Sequence, residues 1–310
     1  MGTMTATLEA AAERLAALLT GTTTTMHDPE GHSDLEFEGA VAVRPLARAA
    51  APADVWAVDG GQCLVADARC VQLYATRAAR VRYQGGGCVL EEEGELHATV
   101  IGKGDPADVN LLRDRDEWVA VDQCVDDADP GALVLVDGDL QPDWRVPATF
   151  LAELLGRAAE RGVVLAGITK HSSLSRGGAP LLGWLEREAE TLLGPRPMWW
   201  ASVARTRTDV GGFQVVAAQL DPDARFSFRI DLPLAVDPEP VLASLSALCD
   251  DAAFPGYPYP LAVADRLAAC PGWLRDELRL RLDDLFDRAG VPLEVRERAF
   301  TDRHRLMERA

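Results

Sequence analysis

Apolar positions recur along this chain with two different periods, and the switches between them predict its elements. Residues 8–19, rich in alanine and leucine, read as a helix. A threonine-rich loop and a polar stretch through Asp34 follow, then extended segments to about residue 51. Residues 55–58 predict a short buried strand ending at Asp59. Two more β-rich pieces, 63–65 and 70–82, are expected as its antiparallel neighbours, with turns at Gly60-Gly61 and 66–69. Residues 85–104 predict another hairpin or an insertion, acidic at 91–95. Val109, Leu112, Trp118, Val119 and Val121 fit a helix over 107–125. The unbroken apolar run 133–136 suits a strand covered on both faces. A helix at 147–161 opens on Pro147 and stops at Gly162, and a strand at 163–168 completes a right-handed crossover. Beyond it the pattern predicts a helix at 180–193, strands at 198–204, 213–220 and 225–231, and a helix at 238–250. A rigid loop at 254–260, a helix from 261 to 270 and one or two charged helices from 273 onward finish the chain. Trp199 and Trp200 are adjacent on a strand and so face opposite sides, both into core or one toward an interface.

An antiparallel meander, a helix and then a parallel strand is the order of a ribonuclease-H-like fold. The expected class is α/β, a ribonuclease-H-like mixed sheet flanked by helices, with additional helices at both ends. No repeat or low-complexity linker divides the chain, so one domain over 1–310 is expected, its core at about 52–270. No G-x-G-x-x-G follows a strand, and neither a P-loop nor a G-x-S-x-G is present. With 48% hydrophobic and 26% charged residues, the composition is that of a soluble globular protein. No apolar run reaches a membrane span and no basic-then-apolar leader opens the chain, so a cytoplasmic protein with no membrane partner is expected. The six cysteines show no C-x-x-C and are expected mainly as small core residues. With only five histidines, a metal here would sit on oxygen, which points to magnesium or manganese.

The net charge of −18 argues against a nucleic-acid partner, but the charge is unevenly spread. Residues 105–129 hold nine acids and two arginines. Arg69, Arg77, Arg80 and Arg82 lie in an acid-free stretch, as do Arg196, Arg205 and Arg207. Basic strands of this kind suit a phosphate backbone; an exposed, solvated strand face is the plainer reading of Arg77, Arg80 and Arg82.

Two segments carry the sharpest chemistry, V-D-G-G at 58–61 and V-L-V-D-G-D at 134–139. Each is an apolar run that ends in aspartate followed by glycine, a way to hold a hard cation where backbone and ligand approach closely. Taken singly, either is a surface turn; together they suit a divalent-metal centre for phosphodiester chemistry, with two cations about 3.5–4 Å apart. Asp139 reads as a turn cap rather than a ligand. His97 and His171 read as surface residues.

At this point the chain resembles the NurA nucleases, partners of the HerA hexameric DNA translocase. The likeness rests on A-V-D-G-G at 57–61, L-V-D-G-D-L at 135–140, G-I-T-K-H-S at 167–172 and G-Y-P-Y-P-L at 256–261, in that order, with R-F-S-F-R-I-D-L-P at 225–233 as the late strand. The resemblance implies a manganese- or magnesium-dependent deoxyribonuclease for DNA end processing. It would be a 5′ to 3′ exonuclease, with single-strand endonuclease activity as a further option, working as a homodimer with a HerA-type hexameric ATPase. It places metal and catalytic roles on Asp59, Asp137 and an acid of the helix between them. Glu117 fits best there, and Asp114 and Asp116 compete; a solvated helix face is the alternative for all three. It places Tyr257 in the catalytic set, where a ring held extended before a proline is presented to base or phosphate, and Lys170 on a phosphate. The family's histidine falls on Asp265. A carboxylate also ligates Mg²⁺ or Mn²⁺, but it removes a neutral proton shuttle. Two other readings stay open: a catalytically weak or inactive docking subunit of such a translocase, and a ribonuclease-H-like enzyme acting on RNA.

Overall fold

A computed structural model describes residues 8–21, 24–29, 35–106, 108–141, 143–207 and 211–301. Its first part holds helix α1 (Leu8–Thr20) and three short strands, β1 (Met26–His27), β2 (Leu35–Phe37) and β3 (Arg44–Pro45). Two long strands follow, β4 (Asp54–Asp67) and β5 (Val71–Gln84), then β6 (Gly87–Glu93), β7 (His97–Gly102) and helix α2 (Val109–Asp127). Strand β8 (Leu133–Asp137), helix α3 (Ala148–Glu160) and strand β9 (Val164–Thr169) form the expected crossover, with β4, β8 and β9 parallel neighbours. The short β10 (Ser175–Arg176) and β11 (Ala179–Pro180) pair with each other and, through β10, with β1. Helix α4 (Leu181–Leu193), strands β12 (Trp199–Thr206), β13 (Phe213–Gln219) and β14 (Phe228–Pro233), and helix α5 (Pro238–Leu245) come next. The chain closes with α6 (Tyr259–Ala268), α7 (Gly272–Arg288) and α8 (Leu293–Phe300). No helix among the described residues is long and apolar enough to cross a membrane.

The main sheet has eleven strands, in the order β2-β12-β13-β14-β9-β8-β4-β5-β6, with β3 also on β12 and β7 also on β5. The run β6-β5-β4-β8-β9 is the ribonuclease-H-like arrangement expected from the sequence, and β14, β13 and β12 extend it antiparallel. Helices lie on both faces. Along β4, Trp56 and Val58 join the core that includes Trp118 and Val121 of α2, Leu154 of α3 and Leu185 of α4. Val55 and Ala57 join the opposite core, with Leu242 of α5 and Leu261 of α6. Strand β8 divides in the same way, Val134 and Val136 to the first core and Leu133 and Leu135 to the second. Trp199 and Trp200 also split between the two cores, and both are buried.

Four local expectations are corrected. Gly60-Gly61 is not a turn: β4 runs straight through it, with Asp59 opposite Ala79 and Gly60 opposite Ala78 on β5. The glycines serve close approach, as the site shows. Residues 85–104 are not a separate hairpin; β6 and β7 pair with the two halves of β5, as one return strand broken at Gly94, whose N–H donates to the Ala78 carbonyl at 2.8 Å. Helix α6 starts at Tyr259, earlier than expected, because Pro260 in its first turn needs no backbone donor. The cysteines are not mainly core: Cys124 and Cys249 are buried, whereas Cys70 and Cys88 are exposed.

Leu154, fully buried where α3 packs on the sheet, tests this core away from the carboxylates. Leu154→Ala is expected to lower unfolding free energy by about 2–5 kcal/mol, read as a shift of the urea midpoint.

Candidate metal centre

Strand alternation alone sends two carboxylates the same way. Asp59 follows Val55 and Ala57 onto the face covered by α6, and Asp137 follows Leu133 and Leu135 onto it from the next strand. Asp265 comes down from α6 itself. One oxygen from each of Asp59, Asp137 and Asp265 lies within 4.8 Å of the other two. Asp59 is buried, Asp137 half-buried and Asp265 exposed, so the cluster opens outward past Asp265.

Glu117 reaches Asp59 from the other face. A Cβ on Gly60 would stand 2.2 Å from the Glu117 Oε1 atom, so this buried carboxylate crosses the strand's edge only where a side chain is missing. Arg113, one turn earlier on α2, pairs with it at 3.1 Å. Its neighbours are engaged elsewhere: Asp114 accepts from the Asp143 N–H at 3.0 Å, and Asp116 bonds the Thr76 hydroxyl at 2.7 Å and His97 at 2.9 Å. Of the three acids left open by the sequence, Glu117 is the one beside Asp59. It is not among the three whose oxygens converge.

Lys170, at the end of the crossover strand β9, enters the cluster from the side. Its Nζ lies 2.6 Å from Asp137 and 3.5 Å from Asp265, and 4.9 Å from the centre of the Tyr257 ring. Burial disfavours its charge, but Asp137, Asp265 and Asp59 together outweigh that and raise its pKa. The Tyr257 hydroxyl is buried beside Asp137 without a hydrogen bond of good geometry. Burial and then Asp137, Asp59 and Asp265 push the phenol far up, so it stays neutral and able to donate.

The remaining candidates build the frame. Arg77 donates from Nε to the Ala268 carbonyl at 3.1 Å and from Nη2 to the Ala269 carbonyl at 2.6 Å, while Nη1 pairs with Glu93 at 2.6 Å. It ties the C-terminal end of α6, where carbonyls lack helical partners, to β5. Arg80 pairs with Glu92 and Asp127, Arg82 with Asp54 and Asp129, and both stand over the Trp56 ring. These three guanidiniums are held by carboxylates and carbonyls and do not join the carboxylate cluster. Asp139 accepts from the Gln141 N–H at 3.2 Å, the turn-capping role expected for it.

Beneath that turn lies a group the sequence reading missed. Arg229 makes two 2.9 Å bonds to Asp231, whose carboxylate also accepts from the Leu140 N–H at 3.2 Å, and Arg229 stands 3.5 Å from Asp139. Both side chains are buried, and the pair fixes the loop that follows Asp137. Its signal was an arginine and an aspartate two apart on a strand, which places both on one face.

The residues fit a hard divalent cation. The donors are all oxygen, and the crowding of carboxyls favours protons or a cation among them. Burial, followed by Asp137 and Glu117, raises Asp59 from 3.8 to about 9. Burial, opposed by Arg113 and aided by Asp114 and Asp137, raises Glu117 from 4.5 to about 8. Such carboxyls release protons when a cation takes their place.

The architecture is thus a ribonuclease-H-like mixed sheet with converging carboxylates on its central parallel strands. Among solved structures, the NurA nuclease from Sulfolobus solfataricus is similar, with a TM-score of 0.60 and 15% identity over 91% of this chain and 95% of that one. A structure of NurA with manganese is similar at a TM-score of 0.52 and 11% identity, over 79% of this chain and 91% of that one. The chain has the NurA fold. No known protein-family model matches it, and no curated protein does.

Two predictions follow from this geometry. With folded values near 9 and 8, Asp59 and Glu117 stabilise the metal-free fold fully below their unfolded values of 3.8 and 4.5, and this contribution is lost as pH rises through about 8 to 9. Calorimetry should therefore show Mn²⁺ or Mg²⁺ raising Tm more at pH 8.5 than at pH 6, with about 2.7 kcal/mol of stabilisation at a hundred times Kd. Asp59→Asn should remove the metal response and raise Tm without metal. Arg77→Gln should leave the sheet folded but weaken Mn²⁺ binding by about 10- to 100-fold, measured by titration calorimetry, because α6 then carries Asp265 less firmly.

Proposed function

We propose that this chain is a divalent-cation-dependent DNA nuclease. The observation that carries the reading is the convergence of Asp59, Asp137 and Asp265 on one point. The fold supports it, being that of a protein named as a nuclease, and a relative of that fold was solved with manganese. Bound divalent cations supply an activated water and charge stabilisation at the leaving oxygen of a phosphodiester. Asp59, Asp137 and Asp265 would hold them, with Glu117 alongside Asp59. The Lys170 ammonium offsets phosphate charge and, by pairing with Asp137 and Asp265, keeps those carboxylates oriented. The neutral Tyr257 hydroxyl is the donor available to a phosphate oxygen. Asp265 stands where the family's histidine was expected, so this position would contribute a third oxygen ligand and no imidazole proton shuttle.

Further steps rest on the family resemblance: digestion from 5′ to 3′ in DNA end processing, a homodimer, a HerA-type hexameric ATPase as partner, manganese preferred over magnesium, and a cytoplasmic setting. DNA tracking by Arg77, Arg80 and Arg82 draws no support from their ion pairs, which leaves Lys170 as the candidate phosphate contact. A second reading has one observation in its favour. Lys170 sits 2.6 Å from Asp137, and an ammonium held in place of a cation suits a docking subunit that keeps the fold without the chemistry.

Nucleotide release from linear DNA labelled at the 5′ or the 3′ end, with Mn²⁺, separates the two readings. Wild type is expected to cleave, and Asp59→Asn and Asp137→Asn to lose roughly 10²-fold or more of the rate, the order seen when one charge-stabilising group is removed. Absence of Mn²⁺-dependent cleavage by wild type, with and without a HerA-type ATPase, would establish the docking reading. An unlabelled RNA competitor that suppresses cleavage better than DNA would move the substrate to RNA.

A further inference from the structure

A cavity of about 990 Å³ opens beside the carboxylate cluster and shares Lys170, Tyr257 and Asp265 with it. Its outer wall carries two phenylalanines that the fold does not use. Phe226 is 69% exposed and Phe254 63% exposed, although neighbouring Phe228 packs on Tyr257 with ring centres 5.7 Å apart. An exposed phenylalanine on a loop contributes little to folding, and two on one cavity form an apolar platform.

We infer that Phe226 and Phe254 form a stacking platform for unpaired nucleobases, feeding the strand's phosphates to the Asp59–Asp137–Asp265 cluster. This rests on the phosphodiester reading of that cluster. Three observations select this occupant over a protein partner. The cavity is continuous with the cluster, so whatever lies on the rings extends toward the carboxylates. A cation, Lys170, lines the cavity, and Arg225, next to Phe226 in the chain, is exposed and has no carboxylate partner among the described residues. The volume lies at the upper end of the roughly 300–1,000 Å³ typical of small-molecule pockets, which suits a few nucleotides and not an apolar protein face.

The chemistry also sets the specificity. A base inside a duplex has both faces covered by its neighbours, so only an unstacked base offers a face to phenylalanine. Two serines of the wall beside the rings are already engaged and do not read base edges. The Ser227 N–H and hydroxyl both donate to Glu186, at 2.7 and 2.8 Å, and the Ser173 hydroxyl donates to Asp28 at 2.9 Å. The platform therefore accepts any unpaired sequence, and a duplex enters only through an opened end.

The test is binding, apart from cleavage. Anisotropy of a fluorescent single-stranded oligothymidylate and of a hairpin duplex of the same length is measured with Ca²⁺, for wild type, Phe226→Ala, Phe254→Ala and Phe226→Trp. Each alanine variant is expected to lose about 5- to 150-fold in single-strand affinity, equivalent to about 1–3 kcal/mol per stacked base. Phe226→Trp should retain affinity, and duplex binding should change by less than about twofold. Both rings are exposed, so folding is checked by circular dichroism and is expected to be unchanged. Unchanged single-strand affinity in both alanine variants overturns the inference, and so does an equal loss for duplex. Loss of single-strand binding in a protein that never cleaves DNA would uphold the platform and overturn the nuclease reading instead.

Discussion

The structure turns on two residues of β4 without side chains. Successive strand residues face opposite sides, so Gly60 meets α2 and Gly61 meets α6. A Cβ on Gly60 would fall within 2.2 Å of Glu117, and one on Gly61 within 1.9 Å of the Ala268 carbonyl. The sheet is pinched there from both faces. That pinch lets α2 deliver a buried carboxylate to Asp59 and lets α6 settle low enough to bring Asp265 to the same point. A meander with any other residue pair at 60–61 would keep its hydrogen bonds with β5 and lose the site.

Charge is organised around the same place. The acidic block at 105–129 and the arginine-rich stretch of β5 look in sequence like separate surfaces, one repelling nucleic acid and one attracting it. Folding brings them together, as Arg80 and Arg82 take up Asp127, Asp54 and Asp129. Much of the chain's unevenness in charge is thus complementarity within the fold. At Asp59 and Glu117, by contrast, burial and neighbouring carboxylates together favour the protonated form. Lys170 is one of only two lysines in the chain, and it is spent at this point.

Much of this was legible from residues alone. Strand β8 was visible because an apolar run with no polar alternation has few other uses, and the crossover to β9 followed from Pro147 and Gly162 at the ends of the intervening helix. The position of Glu117 was narrowed but not settled, because Asp114, Asp116 and Glu117 lie within one turn and only the missing Cβ of Gly60 selects among them. Gly60-Gly61 was misread as a turn because Asp-Gly has the same composition whether glycine supplies a bend or a gap. Arg77 was read as a surface cation because nothing local shows that a helix almost two hundred residues later will end against it. Its partners, the carbonyls of Ala268 and Ala269, are backbone and leave no trace in sequence. The Arg229–Asp231 pair did leave one, a two-residue spacing, which passed as ordinary strand polarity.

The clamp between Arg77 and the end of α6 also orders events in time. Asp59 and Asp137 belong to strands made early, whereas Asp265 and the carbonyls that Arg77 grips come more than a hundred residues later. While the chain is still growing from the ribosome it therefore holds two of the three converging acids and no anchored third. The carboxylate centre is assembled only after residues 265–269 have emerged, and a prematurely terminated product that stops before residue 265 is born without it.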